Sequence, residues 1–163
     1  MKLTPFYDIY AKVLELLSKI TSNNGYHSNM GQAIVMATDD AQLLAIENGS
    51  FQDGSLLLLV SSAQGLEEKN NQSTTSSSLM SRDITLWAPI ELADKENPNG
   101  FFLESKPFMT DLKRALFSEY NWRSNTSMGL KKFALTGDHV SLSANSNIYT
   151  LRIDLTITYV EAY

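Results

Sequence analysis

The side chains that most often do chemistry are scarce in this sequence. Its 163 residues include two histidines, His27 and His139, and no cysteine. Neither histidine stands in a His-x-x-x-His or Glu-x-x-His spacing, which would set two metal ligands on one helical face. The lack of cysteine excludes disulfide frameworks, thiolate metal sites and cysteine nucleophiles. Asp138-His139 followed by Ser141 and Ser143 contains the residue types of a nucleophilic triad, but such groups are defined by spatial geometry and no nucleophile-elbow motif is present. Gly137-Asp138 predicts instead a tight turn leading into a polar strand.

Other acidic and glycine-bearing stretches fare no better as sites. Asp94, Glu96, Asn97, Asn99 and Gly100 resemble part of a calcium loop, but Pro98 occupies a ligand position and no closing glutamate follows, so a solvated turn is expected. Asp39-Asp40 has no third carboxylate until Glu47. The eight glycines form neither a Gly-x-x-x-x-Gly-Lys-Ser/Thr nor a Gly-x-Gly-x-x-Gly cradle, so nucleotide phosphates have no backbone nest. No catalytic residue, cofactor or metal is expected. Trp87, Trp122 and Tyr26 are the aromatic set that a small-ligand pocket would use, and the alternative is that they anchor a core or an interface.

One charged group invites a functional role. Lys113, Arg114, Arg123, Lys131 and Lys132 are five of thirteen basic residues, with only Asp111 and Glu119 among them between positions 111 and 132. Cations over the last turns of a helix suit its dipole, and the same residues are candidates for contact with an acidic neighbouring subunit. The acidic pair Glu67 and Glu68 is a second candidate for such a contact. A formal net charge of −5 argues against a broad nucleic-acid surface.

The elements that would hold these residues follow from periodicity. Phe6, Ile9, Tyr10, Val13, Leu14, Leu16, Leu17 and Ile20 mark one face of an N-terminal helix, started by Thr4 and Pro5 and stopped by Asn23-Asn24-Gly25. Leu151, Ile153, Leu155, Ile157 and Tyr159 alternate with polar residues, predicting a long half-buried strand near the middle of a sheet. Ile84, Leu86, Ala88, Ile90 and Leu92 predict another, placed at an edge or bulged because of Pro89. Residues 133–135 and 140–142 predict short strands hinged at Gly137-Asp138. Residues 107–120 predict a second helix with Phe108, Leu112, Ala115, Leu116 and Tyr120 inward and Ser105 as its cap. The whole is a single α+β domain over 1–163: a mainly antiparallel mixed sheet with two helices packed on one face.

Residues 63–81 differ in kind. The run Glu67-Glu68-Lys69-Asn70-Asn71 and the serines and threonines from 73 to 78 offer almost nothing to bury, so this segment is expected to be the mobile tip of a long hairpin that orders against a partner. The longest aliphatic run, 56–60, is far shorter than the roughly 20 residues that cross a bilayer, so no membrane association is expected. The N-terminus lacks a signal-peptide pattern, which predicts synthesis and retention in a cytoplasm.

The order of elements resembles a known family. An N-terminal amphipathic helix leads to Gly25-Tyr26-His27-Ser28-Asn29-Met30-Gly31 and a short apolar strand at 33–37. A helix with Asp111-Leu112-Lys113-Arg114-Ala115-Leu116-Phe117, a Gly129-Leu130 step and a final strand closing Thr158-Tyr159-Val160-Glu161-Ala162-Tyr163 follow. This is similar to the minor tail and tail-terminator proteins of long-tailed bacteriophages, the lambda tail-terminator group, over about half of the chain. The resemblance implies a homo-oligomeric ring, hexameric in that family, that ends tail-tube polymerisation and meets the tube on one side and a head-completion or neck protein on the other. It implies residence in the virion after synthesis in the bacterial cytoplasm, no catalytic residues, and DNA passing through the lumen without specific binding. Six copies at −5 each would carry −30, which repels DNA from an acidic lumen. Another neck or tube subunit is the alternative, and a small ligand-binding or enzymatic domain the more distant one.

Overall fold

In a computed structural model the protein is described over residues 5–36, 56–66, 77–118, 129–143 and 147–162. Helix α1 (Pro5–Ser18) is followed by a 3-10 turn (Ser22–Asn24), a second 3-10 turn (Met30–Gln32), and strands β1 (Ile34–Met36), β2 (Leu56–Val60), β3 (Gln64–Gly65) and β4 (Ser77–Glu91). A 3-10 turn (Pro98–Gly100), a single turn α2 (Phe101–Glu104), helix α3 (Lys106–Phe117) and strands β5 (Leu130–Leu142) and β6 (Ile148–Ala162) complete it. The α+β class holds: a six-stranded, mostly antiparallel sheet carries its helices on one face.

The sheet runs β1-β2-β4-β6-β5, with β3 pairing alongside β4 and only the β1–β2 pair parallel. β6 is central, as its alternation predicts. Its Leu151, Ile153, Leu155, Ile157 and Tyr159 are all buried beside Ile84, Leu86, Ala88 and Ile90 of β4. Phe6, Ile9, Val13, Leu16 and Leu17 of α1 and Leu112, Ala115 and Leu116 of α3 close over that face. Apolar area removed from water, at roughly 25 cal/mol per Å², is what drives this layer together.

β4 is an interior strand despite Pro89. The β2 ladder runs from Leu57↔Trp87 to Val60↔Ile84, so among the described residues Pro89, opposite Thr150, is paired only with β6 and its missing N–H breaks no described bond toward β2. The hairpin predicted between the aliphatic run and β4 is present, since β3 continues it with Gln64↔Ser81 and Gly65↔Met80. Its tip, including Glu67 and Glu68, lies outside the described residues, as do Asp39, Asp40, Glu47, Tyr120, Trp122 and Arg123.

Three local expectations are corrected. Helix α1 ends at Ser18, before the Asn23-Asn24-Gly25 stop, and those residues form the 3-10 turn that Gly25 closes at φ 81°. Ser105 precedes α3 but makes no cap: its hydroxyl donates to the Phe102 carbonyl at 2.6 Å. Gly137-Asp138 is no hinge between two short strands, because β5 is one continuous strand of 13 residues. A bulge between Leu135 and Gly137 shifts the register by one residue. Phe133 and Leu135 lie opposite Ile157 and Leu155, while Val140 and Leu142 lie opposite Leu151 and Tyr149, so all four share the helix-covered face. One extra residue reverses the phase of alternation, and that reversal mimics a turn in the sequence.

Candidate functional site

Among the described residues, the basic side chains singled out in the sequence do not make one patch. Lys113 on α3 donates to Asp138 Oδ2 at 2.5 Å, on the face of the sheet that the helices cover. Arg114 donates to the Gly25 carbonyl at 2.9 Å and lays its guanidinium 4.5 Å from the Tyr26 ring centroid, which ties the turn after α1 to α3. Lys131 occupies the first bulge of β5, and Lys132, opposite Thr158, points from the other face. Both are exposed. Lys113 and Lys132 therefore lie on opposite sides of the sheet, and Arg114 serves an internal contact.

A network that sequence inspection passed over sits beneath Arg114. Asp111 is fully buried and accepts hydrogen bonds from the His27 backbone N–H at 3.1 Å, His27 Nδ1 at 2.9 Å and the Ser28 hydroxyl at 2.7 Å. A buried carboxylate is tolerated only when its oxygens are satisfied, and here one acid on a helix holds a loop 84 positions away in sequence. The signal was legible: Asp111 falls on the same helical stripe as Phe108, Leu112 and Ala115. Ser28 and His27 both address the carboxylate rather than each other, so no relay from hydroxyl to imidazole exists here. The calcium-like stretch is likewise an internal device. The Glu104 carboxylate accepts from the Ala93 and Asp94 N–H groups at 2.8 and 3.2 Å, and Asp94 accepts from the Glu96 N–H at 3.2 Å.

The sheet has two terminal strands of unlike chemistry. Among the described elements β5 pairs only with β6, leaving a 13-residue edge that bears Lys131, Lys132, Asp138 and His139. β1, three residues long, pairs among the described residues only with β2 and exposes Val35 and Met36. Near β1 a hollow of about 200 Å³ is lined by Phe6, Tyr7, Tyr10, Met36, Arg82 and Tyr159. Tyr7 is 60% exposed there. The Tyr10 hydroxyl donates to Met36 Sδ at 2.7 Å, and burial raises its pKa above the ordinary 10.0. Arg82 stacks 4.6 Å from the Phe6 centroid and donates to the Tyr159 hydroxyl at 3.3 Å.

The second face of the sheet carries a different assembly. Register places His139 opposite Arg152 and Arg152 opposite Trp87, with Ser141 opposite Thr150 in the adjoining row. Together with Ser143 they line a hollow of about 320 Å³. The Arg152 guanidinium is 5.7 Å from the Trp87 ring centroid, and its Nε donates to Asp154 at 3.0 Å. Trp87 thus belongs to a surface hollow, Tyr26 to the Arg114 contact. No protein-family model matches the sequence, and no curated protein matches it.

Proposed function

We propose that the chain is a structural ring subunit of a phage-like tail, of the tail-terminator kind, and that it is not an enzyme. The observation that carries this is the pair of dissimilar sheet edges: a long polar edge at β5 and a short apolar one at β1 beside Tyr7 and Met36. A closed ring repeats a head-to-tail contact, so each subunit needs two different surfaces that complement one another, and a domain with unlike edges supplies them. A long strand edge left unpaired by the described residues is also a standing template for pairing with another chain, and two bulges and the lysine pair are the devices that restrict which partner fits.

In this role the ring ends tail-tube polymerisation at the head-proximal end and offers its other side to a head-completion or neck protein. It is made in the bacterial cytoplasm and resides in the virion. Six copies at −5 each leave the assembly acidic, which lets DNA slide through the lumen. A different neck or tube subunit would use the same two edges. The discriminating experiment adds purified chain to polymerising tail-tube protein of the same particle and measures tube lengths by electron microscopy. A terminator shortens the tubes in proportion to its concentration and decorates one end. Unchanged lengths, or incorporation along the whole tube, would reject termination.

A further inference from the structure

The triad-like residue types His139, Ser141 and Ser143 converge with Trp87, Arg152 and Thr150 on one side of the sheet. Three strands place most of them there: β4 supplies Trp87, β6 supplies Thr150 and Arg152, and β5 supplies His139 and Ser141. The second bulge of β5 is what makes this possible. Before it, odd-numbered Phe133 and Leu135 face the helices; after it, odd-numbered His139 and Ser141 face the opposite way, into the hollow.

From this juxtaposition we propose that the hollow is a binding site for a small anion attached to a flat apolar group, of which an aryl phosphate is the simplest example. The polar lining is rich in donors: a guanidinium, an imidazole, three hydroxyls and the indole N–H, with no carboxylate among the described lining side chains. Asp154 takes the Nε of Arg152, fixing the guanidinium and leaving its terminal nitrogens as a fork suited to two oxygens of one anionic group. Trp87 adds a half-buried aromatic surface beside that fork, where a flat group can stack. On a chain of net charge −5, the hollow offers donors rather than net charge, since Asp154 balances Arg152, and the indole selects by shape. A volume of about 320 Å³ lies at the small end of ligand sites and suits one ring and one acidic group. The assignment does not rest on the ring function, since it concerns side chains on one sheet face, although His139 and Ser141 belong to the β5 edge strand.

The test uses the full chain carrying Trp122→Phe, so that Trp87 is the sole tryptophan fluorophore. Phenyl phosphate, adenosine monophosphate and inorganic phosphate are titrated separately with excitation at the red edge of tryptophan absorption. Phenyl phosphate is expected to change the emission saturably, and inorganic phosphate to bind about tenfold or more weakly. Arg152→Gln should weaken phenyl phosphate by about tenfold or more, and Ser141→Asp, which places a carboxylate in the hollow, should abolish the response. Lys132→Ala, on the same face but about 20 Å along β5, should leave it unchanged. No saturable response to either aromatic phosphate would overturn the site. Equal binding of inorganic phosphate would overturn the flat-group part, and a loss in Lys132→Ala matching that in Arg152→Gln would reduce the effect to general charge attraction. Thermal melts of each variant establish that it is folded. If Arg152→Gln alone fails to fold, Ser141→Asp and isotope-edited shifts of the His139 ring on titration decide the same question.

Discussion

Asp111→Ala removes the acceptor for three donors while leaving the apolar packing of α3 in place. In the native chain the carboxylate is fully buried and holds the His27 N–H, His27 Nδ1 and the Ser28 hydroxyl. The imidazole is 58% exposed and can turn to water, so the cost falls mainly on the backbone N–H and on Ser28, which is 8% exposed. Each donor stranded away from water costs about 1–3 kcal/mol, which for the two predicts a loss of about 2–6 kcal/mol. For a chain of 163 residues this lowers Tm by roughly 4–24 °C. Urea titration followed by circular dichroism measures the loss, and hydrogen exchange at the His27 amide reports the loop itself. Ser28→Ala added to Asp111→Ala should recover part of the deficit, because it deletes one stranded hydroxyl. A change below about 0.5 kcal/mol with an unaltered denaturant slope, or strictly additive single losses, would show that the carboxylate does not hold the loop.

Truncation of the central strand tests the sheet's two faces: Leu155→Ala or Ile157→Ala should cost about 2–5 kcal/mol and Thr156→Ala much less, and the reverse ranking in denaturant titrations would invert the face assignment. Gly31→Ala should destabilise by about 1–3 kcal/mol, because a Cβ there would meet the backbone of Leu17, sit 2.8 Å from the Ser18 carbonyl oxygen and 2.9 Å from the Ile20 nitrogen; an unchanged melting temperature would refute that close approach. Burial favours the neutral Tyr10 hydroxyl in the folded state, so its contribution is fully present below pH 10.0 and is lost as pH rises toward the raised pKa. Tyr10→Phe should flatten that alkaline decline in a melting series, and an identical decline in both proteins would contradict it.

Much of this fold was legible because its strongest patterns are long and regular. The β6 alternation and the α1 stripe name their own inward faces, and both face the core, with Tyr10 and Leu14 of the stripe only partly buried. The misreading of β5 has a defined cause: a bulge shifts alternation by one residue, and sequence alone does not distinguish a phase shift inside a strand from two strands around a turn. Pro89 misled because the proline constraint is local, and the neighbouring strand stops just short of it. The functional residues were less legible. Lys113 and Lys132 are close in sequence type but separated by the thickness of the sheet, while His139, Arg152 and Trp87 are far apart in sequence and become neighbours only through register. Asp111 was visible as an acid on an apolar stripe, yet its partners lie 83 and 84 positions away.

The assembly state decides the central proposal most directly. Native mass spectrometry of the purified chain, with class averages from negative-stain electron microscopy of the same sample, gives both copy number and symmetry. The 18.2 kDa chain should assemble into a closed ring, six subunits by the family resemblance, with a central opening. Replacing exposed Met36 and Tyr7 at the apolar edge by aspartate should shift the population to monomers without unfolding them. A chain that stays monomeric at every concentration tested, or forms only a two-fold dimer indifferent to those substitutions, would contradict the ring.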